Sequence, residues 1–485
     1  MRMLPPLEER LAAGRPVITR DQALAVMQQI MAHTTIANAG AEIEHVYHGV
    51  TRLAHGAVRS TNDGDYLRIG FRTSRAVVLN VYVETNQFDD QSIRAVVERA
   101  EALLKDMIGS NEELGPRQAM QQDRYLPTAL WHEPSIAAIP SVRTAEIPKI
   151  LETVRARRLQ ASGMVGIMAR AMMALTRDGI TAFHEETDCE VNVTARPDDG
   201  TSSGWSGQAS RDWSQLDPVR VATDAADIAE RGLHPSAVEP GRRVAILGPA
   251  AVVQLMRFLV LHFDGEGSDN GGTGFSKVPG RPKGSRFLQR LFDPRVHITV
   301  DPTDPLGGYQ AWFGGLVGAS ANPALTLIEG GVLKNLTYRI MEIALQLGRP
   351  YSDLPHGLHM QGGETTVAQM IAQCDEGIYV NRFSSVDVVD MQSGMLTGVT
   401  RDGCFLIKHG KIDRPVKNFR FLTSPFFFLN NILAMGPTQR AAFGYAPPTM
   451  MEREVGIPSD WPRRPMIVPP LMVRDFNFNA LIDAV

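Results

Sequence analysis

The chain has 485 residues, of which 44% are hydrophobic and 21% are charged. This composition is typical of a soluble globular protein, and the length predicts two or three domains, because a single core seldom serves so long a chain. The net charge of -4 lacks the basic excess of a nucleic-acid binder, so we expect no nucleic-acid partner.

Cysteine usage and the N-terminus together predict a reducing, cytoplasmic location. Cys189, Cys374 and Cys404 are widely spaced and odd in number, which excludes a disulfide framework and a CxxC zinc pair. The first residues carry scattered charges and no apolar core of a signal peptide. No window reaches the roughly 18 apolar residues that cross a bilayer, so we expect no membrane partner.

Residues 1–115 are predicted to form an N-terminal α+β module. Apolar residues at helical spacing predict a helix from Arg20 to His33, with Thr19 as its cap. Strand-like segments follow at 41–53, 65–72 and 75–85, and an amphipathic helix is predicted from Asp89 to Ile108.

Residues 116–235 are predicted to form a second, central α+β module after a proline-rich connector. We expect a helix from Ala145 to Ala161, then strands, and a helix from Pro218 to Arg231. In the strand segment HEETDCE, alternation places His184, Glu186, Asp188 and Glu190 on one face and Glu185 and Cys189 on the other. The first of these faces is predicted to be solvated, as on a half-exposed antiparallel sheet.

Residues 236–485 are predicted to form a larger, mostly β domain, which makes the fold class α+β. A buried strand RRVAILGP precedes a helix from about Ala250 to Leu261, and a mobile Gly-rich loop follows. Short helices are expected at Tyr338–Leu347, ended by Gly348, and at Val367–Cys374, capped by Thr365 or Thr366. The turns GGV at 330–332 and HGK at 409–411 are predicted to close hairpins.

Five C-terminal segments in order resemble the TldD/PmbA family: LIEGGVLKN, EGIYV, GMLTG, IKHGKIDRPVKNFRF and LNNI-x-x-MG. Weaker likenesses, at 85–93 and in GQASRDWSQLDP, extend the resemblance over nearly the whole chain. The resemblance implies a subunit of a heterodimeric peptidase complex that degrades or matures peptides.

Catalytic members of that family carry H-E-x-x-x-H on the first helix of the last domain, with a cysteine near the C-terminus. Such histidines bind zinc and the glutamate activates water. The matching positions here begin at Met256 and Arg257 and end at Leu261, and residues 436–485 contain no cysteine. The resemblance is therefore to the PmbA/TldE-like subunit: we expect no catalytic residue, no metal ligand and no cofactor in this chain, and zinc in its partner.

Five residues are the remaining candidates for cavity or ligand contacts: Arg257, His262, His356, His359 and Cys404. Arg257 suits an interface or a carboxylate, His262 is expected to cap or pack, and the histidines of PHGLHMQGGET have metal-ligand spacing in a loop. Cys404 is expected to be a buried apolar side chain rather than a nucleophile. Asp264 and Glu266 are expected to be solvated.

Three functions remain open. The first is the non-catalytic partner subunit of a TldD/TldE-type zinc metallopeptidase heterodimer, which acts on a peptide and binds a zinc-bearing subunit. The second is a self-associating scaffold of the same fold, for which a homodimer is the expected assembly. The third is an independent enzyme with a replaced active site.

Overall fold

The structure is a computed structural model that describes residues 4–74, 80–108, 128–177, 179–310, 312–315, 318–321, 323–352, 354–355, 357–442 and 465–482. Helices occur together with several sheets whose strands are mostly antiparallel, which confirms the predicted α+β class. None of the helices in these ranges is long and apolar enough to cross a membrane.

The described residues of the first half of the chain form six α-helices and six strands. These are α1 (Leu7–Ala12), α2 (Arg20–His33), β1 (Ala39–Ala54), β2 (Ala57–Ser74), β3 (Asn80–Thr85), α3 (Asp90–Ile108), α4 (Glu133–Ile136), α5 (Pro140–Arg155), β4 (Gln160–Thr176), β5 (Thr181–Arg196), β6 (Gly204–Ser210) and α6 (Pro218–Arg231).

The six strands form one antiparallel sheet in the order β3-β2-β1-β4-β5-β6, which we call the N-terminal sheet. Its centre is the pairing of β1 with β4, from Gly40 opposite Thr176 to Leu53 opposite Gly163. The two predicted modules therefore share a sheet, while the boundaries at 115 and 235 stay predictions. One face is apolar and is covered by α2, α3, α5 and α6, whose buried side chains form two clusters with it.

Local chemistry sets the helix ends in this half. The Thr19 side chain accepts a hydrogen bond from Gln22 N–H, and the Gln22 side chain accepts one from Thr19 N–H, which confirms the predicted cap. The helix predicted at Ala145–Ala161 was misplaced: it begins at Pro140 and ends at Arg155. The helix begins earlier than predicted because proline is favoured in the first helical turn, and it ends earlier because β4 begins at Gln160.

In the second half, the part that the structure describes forms five α-helices and fifteen strands. These are β7 (Gly241–Leu247), α7 (Pro249–Leu259), α8 (Gly265–Asp269), β8 (Ile298–Val300), β9 (Trp312–Gly315), β10 (Gly318–Ala321), β11 (Leu325–Glu329), β12 (Val332–Leu333), α9 (Met341–Leu347), β13 (His359–Met360), α10 (Val367–Gln373), β14 (Glu376–Asp390), β15 (Met395–Lys408), β16 (Lys411–Pro415), β17 (Phe419–Thr423), α11 (Pro425–Phe428), β18 (Ile432–Met435), β19 (Gln439–Arg440), β20 (Ile467–Val468) and β21 (Leu471–Leu481).

Five of these strands form a closed ring, because β14 pairs with both β7 and β15, and the path β7-β21-β17-β15 joins them. Buried phenylalanines in mutual ring contact, among them Phe383, Phe421 and Phe476, fill its core. A second sheet has the order β12-β11-β8-β13-β20-β19, and β9 pairs with β10 separately. The domain is therefore mostly β, as expected.

The predicted turns of this half are largely confirmed. β11 and β12 pair across Gly330 and Gly331, and β15 and β16 pair across His409 and Gly410, with positive φ at all four turn residues. Gly348 ends α9 in the left-handed conformation. The Gly-rich loop, predicted to be mobile, contains α8, and Gly280 N–H donates to Gly271 O at 2.8 Å.

Candidate functional site

The second face of the N-terminal sheet, which we call the polar face, carries the charged side chains of β5 together with apolar ones such as Met172 and Ala182. His184, Glu186, Asp188 and Glu190 do share a face of β5, with Cys189 on the apolar side. However, the prediction that this face is solvated was wrong, because all four side chains are buried. Residues of the second half of the chain cover them, and buried charges of this kind need partners.

Two arginines neutralise Glu186 at the centre of this face. Arg211 Nη1 lies 3.1 Å from Glu186 Oε2, and Arg170 Nη1 lies 3.3 Å from Glu186 Oε1. His184 Nε2 approaches the same carboxylate to 3.7 Å. Burial alone would raise the pKa of Glu186, but His184, Arg211 and Arg170 hold it well below its usual value, so the group stays ionised.

The same charged face binds the second half of the chain. Arg170 Nη1 donates to the Gln310 side-chain oxygen at 2.9 Å, and Arg211 donates to the carbonyl of Gly308. Arg440 forms an ion pair with Asp188 and donates to the Leu306 carbonyl at 2.7 Å. These contacts join the N-terminal sheet to segment 306–310 and to β19.

Towards β3, the polar face opens to solvent. Glu44 links the buried and open parts, since it lies 2.6 Å from Arg170 Nη2 and 2.9 Å from Arg68 Nη2. Arg68 is 41% exposed, whereas Arg211 is 4% exposed. Tyr82 OH donates to Glu42 Oε1 at 2.8 Å beside them. The open part thus presents guanidinium, phenol and carboxylate groups that can bind polar groups of a ligand.

The predicted zinc-helix positions lie in a different setting. Met256 is fully buried and Leu261 is 8% exposed, and both belong to the main apolar core of the second half. Arg257 is half-buried, with its guanidinium carbon 4.8 Å from the centre of the Phe258 ring. A thioether, an alkyl group and a guanidinium offer none of the donors that zinc prefers, so these residues do not fit that ion. Among the described ranges, no three His, Cys, Asp or Glu side chains are grouped to hold a metal.

His262 packs, as expected, in the 3-10 turn Val260–Phe263 that continues α7. It is 1% exposed, its Nδ1 accepts a hydrogen bond from Gly274 N–H at 3.0 Å, and Phe275 and Phe426 meet its ring edge-on. Burial lowers the pKa of His262 to about 4, so the imidazole is neutral near pH 7.

The other candidate residues do not gather at one site. His359 Nδ1 lies 2.7 Å from Asp304 Oδ2 in the second sheet, and His356 lies outside the described residues. Cys404 is buried in β15, where burial raises its thiol pKa to about 12, and it borders a cavity of about 200 Å³. This setting fits the expected inert side chain rather than a nucleophile.

Asp264 and Glu266 are not the solvated carboxylates expected from the sequence. Both are half-buried: Asp264 caps α8 by accepting Gly267 N–H at 3.1 Å, and Glu266 accepts Ile340 N–H at 2.7 Å. They therefore fix the chain around α8.

The charged network of Glu44, Arg170, Glu186 and Arg211 was missed by the sequence reasoning. One signal for it exists: Arg170 is the only charged residue in the apolar strand segment MVGIMARAMMAL. A charge inside a buried strand requires a buried partner, and the alternating acidic residues of β5 are the candidates for that partner.

Comparison with solved structures gives the same fold over most of the chain. TldE from Thermococcus kodakarensis is 13% identical, with a TM-score of 0.74 over 94% of this chain and 99% of that one. Proposed DNA gyrase modulators from Thermotoga maritima and Bacteroides thetaiotaomicron are both 14% identical. The Thermotoga protein has a TM-score of 0.73 over 94% of this chain and 99% of that one. The Bacteroides protein has a TM-score of 0.65 over 95% of this chain and 100% of that one.

Sequence comparison points to the same group of proteins. No curated protein matches the chain. The model of the PmbA/TldA metallopeptidase C-terminal domain matches residues 240–480, the part that holds α7, the closed ring and the second sheet. The chain belongs to the TldD/PmbA family.

Proposed function

We propose that this chain is the partner subunit, without a metal site of its own, of a TldD/TldE-type zinc metallopeptidase that acts on peptides. The observation that carries the proposal is the apolar packing of Met256 on α7 and of Leu261 in the turn that continues it, at the positions where catalytic members of the family carry metal-binding histidines. Zinc and its activated water would then belong to the other subunit.

The open part of the polar face supports a role in peptide binding. Arg68, Tyr82 and Glu42 stand side by side on β1–β3, and their donors and acceptors match the carbonyl, amide and terminal groups of a peptide. Among the described strands β3 is the last of the N-terminal sheet, so an extended peptide can pair with its outer edge through main-chain hydrogen bonds. The subunit would in this way help to enclose the peptide cavity.

The experiment measures metal content and peptide cleavage for the chain alone and after mixing with the zinc-bearing subunit. We expect no zinc and no cleavage alone, and cleavage in the mixture. Two matched variants locate the chemistry: replacing the motif glutamate of the zinc-bearing subunit by glutamine should abolish cleavage, whereas Met256→Leu here should preserve it. Stoichiometric zinc or cleavage by the chain alone would overturn the proposal.

A further inference from the structure

The cavity beside Cys404, of about 200 Å³, is lined by both halves of the chain. Its inner wall is buried: Ser202 and Ser203 come from the segment before β6, and Asp402 comes from β15. Its rim includes Lys417 and Ile482, which are half-buried, so the cavity can be reached from that side. We call this space the Asp402 cavity.

Asp402 is held in an unusual conformation at the inner wall. Its φ is +52°, in the left-handed region that aspartate adopts more readily than most residues, and Asn381 Nδ2 donates to its carbonyl at 2.9 Å. Its side chain is 1% exposed, and its Oδ1 accepts a hydrogen bond from Ser203 Oγ at 2.6 Å. Among the described residues no donor is aligned for a hydrogen bond to Oδ2, although Arg382 Nε lies 3.0 Å away. A ligand donor that reaches Oδ2 would complete the hydrogen bonding of this buried carboxylate.

The hydroxyl groups of the inner wall offer a ligand only acceptors. A serine hydroxyl has a single hydrogen to donate. Ser202 Oγ donates its hydrogen to Ala229 O at 2.8 Å, and Ser203 Oγ donates its hydrogen to Asp402. The two hydroxyl oxygens and the Asp402 carboxylate therefore form a wall of acceptors, which fits a ligand group with several N–H donors, such as an ammonium group.

The charge around the cavity has a positive surplus. Three guanidinium groups lie close to the Asp402 carboxylate: Arg382 Nε at 3.0 Å, Arg196 Nη2 at 3.7 Å and Arg401 Nε at 3.8 Å. Lys417 adds a fourth cation at the rim, and Glu190 is a second acid that acts on Arg382. A ligand that carried only positive charge would be repelled by this surplus, so the ligand should bring a carboxylate together with its N–H donors.

The size and the remaining lining of the cavity fit one amino acid. An apolar cavity of about 150 Å³ holds benzene, so a space of about 200 Å³ suits a somewhat larger molecule. Pro415, Val416 and Ile482 supply apolar surface for a side chain. We infer that the Asp402 cavity binds a free amino acid with an apolar side chain. The acceptor wall binds its ammonium group, and Lys417 binds its carboxylate.

This inference goes beyond the proposed function and does not depend on it, because the groups that form the site all belong to this chain. The test is titration calorimetry of the full-length chain alone with L-leucine, for which we expect saturable binding. Two analogues should bind at least about tenfold more weakly: 3-methylbutylamine, which lacks the carboxylate, and 4-methylpentanoate, which lacks the ammonium group. Absence of saturable leucine binding, or equal binding of either analogue, would overturn the inference.

Substitutions assign the binding to the cavity. Asp402→Asn and Lys417→Met should each weaken leucine binding about tenfold or more, because each removes a charge that pairs with the ligand. Asparagine tolerates the left-handed backbone of position 402. Asp375→Asn and Lys411→Met make the same changes at exposed residues that do not line the cavity, so they should bind leucine as the wild type does.

Ile482→Trp keeps the test decisive if Asp402→Asn does not fold. Its larger ring fills the cavity from the rim, so leucine binding should be lost. Its melting temperature should stay near that of the wild type, because the position is half-buried. Wild-type affinity of the folded Ile482→Trp or Lys417→Met variant would contradict the inference. Since no measurement contains the zinc-bearing subunit, a negative result leaves the proposed function to its own experiment.

Discussion

The region around α7 and the polar face of the N-terminal sheet differ in what they bury: the first buries apolar side chains and the second buries charged ones. α7 carries packed side chains such as Met256 and Leu255 where family enzymes need ligands. The polar face instead buries Glu186, Asp188 and Arg211, and uses them to join the two halves of the chain. The comparison shows that buried charge in this chain joins its two halves, whereas the region around α7 is packed with apolar side chains.

Breaking the charged network should have the largest effect. Arg211→Met leaves Glu186 with one arginine fewer and leaves the carbonyls of Thr187 and Gly308 without their donor. We expect a loss of about 3–5 kcal/mol in the free energy of unfolding, measured by urea denaturation. Arg68→Met at the open end is the control, with about 1 kcal/mol or less, since its side chain is 41% exposed. Equal losses would contradict the contrast between buried and open parts.

The stability of the α7 region should depend on the volume of its buried side chains rather than on charge. Met256→Ala removes a fully buried side chain, so we expect a loss of about 2–5 kcal/mol, whereas Met256→Leu should lose less than about 1.5 kcal/mol. Thermal unfolding with and without added zinc measures both. A zinc-dependent rise in the melting temperature that Met256→Leu removes would contradict a purely packing role.

Acid should destabilise the α7 region through His262. Its pKa is about 4 in the folded chain and about 6.5 when unfolded, so the unfolded state takes up the proton first. The contribution is fully present above pH 6.5 and is lost as pH falls towards 4, by at most about 3 kcal/mol. His262→Asn should be less stable than the wild type at pH 7, and the gap should narrow by this amount at pH 4. If the difference in unfolding free energy between the two proteins stays constant from pH 7 to pH 4, the predicted effect of His262 on acid stability is contradicted.

The smallest predicted effect tests whether the two halves unfold together. Thr19 caps α2 and Thr366 caps α10, each through a complete capping box. Thr19→Ala and Thr366→Ala should each cost about 1 kcal/mol. Because the charged network joins the halves, both changes should shift one common unfolding transition, followed by circular dichroism and tryptophan fluorescence. Two separate transitions, each sensitive to one variant, would show that the halves are independent.

Local features were predictable from the sequence, because their causes lie within a few residues. The cap at Thr19, the helix Pro218–Arg231 and the left-handed Gly348 all follow from neighbouring side chains. The burial of Glu186 and Asp188 was not predictable in this way. Their partners include Arg211 and Arg440, and Arg440 is more than 250 residues from Asp188 along the chain. Alternation reveals which side chains share a face but not what covers that face.

The central pairing of the N-terminal sheet also has a consequence for synthesis on the ribosome. β1 ends at Ala54, but β4, its neighbour on one side, is complete only at Thr176. At about 5–20 residues per second, the intervening 122 residues (176 minus 54) take roughly 6–24 s to be made. During that time β1 keeps an unpaired edge, a template for aggregation, so the nascent chain is most exposed to misassociation and most dependent on chaperones before β4 emerges.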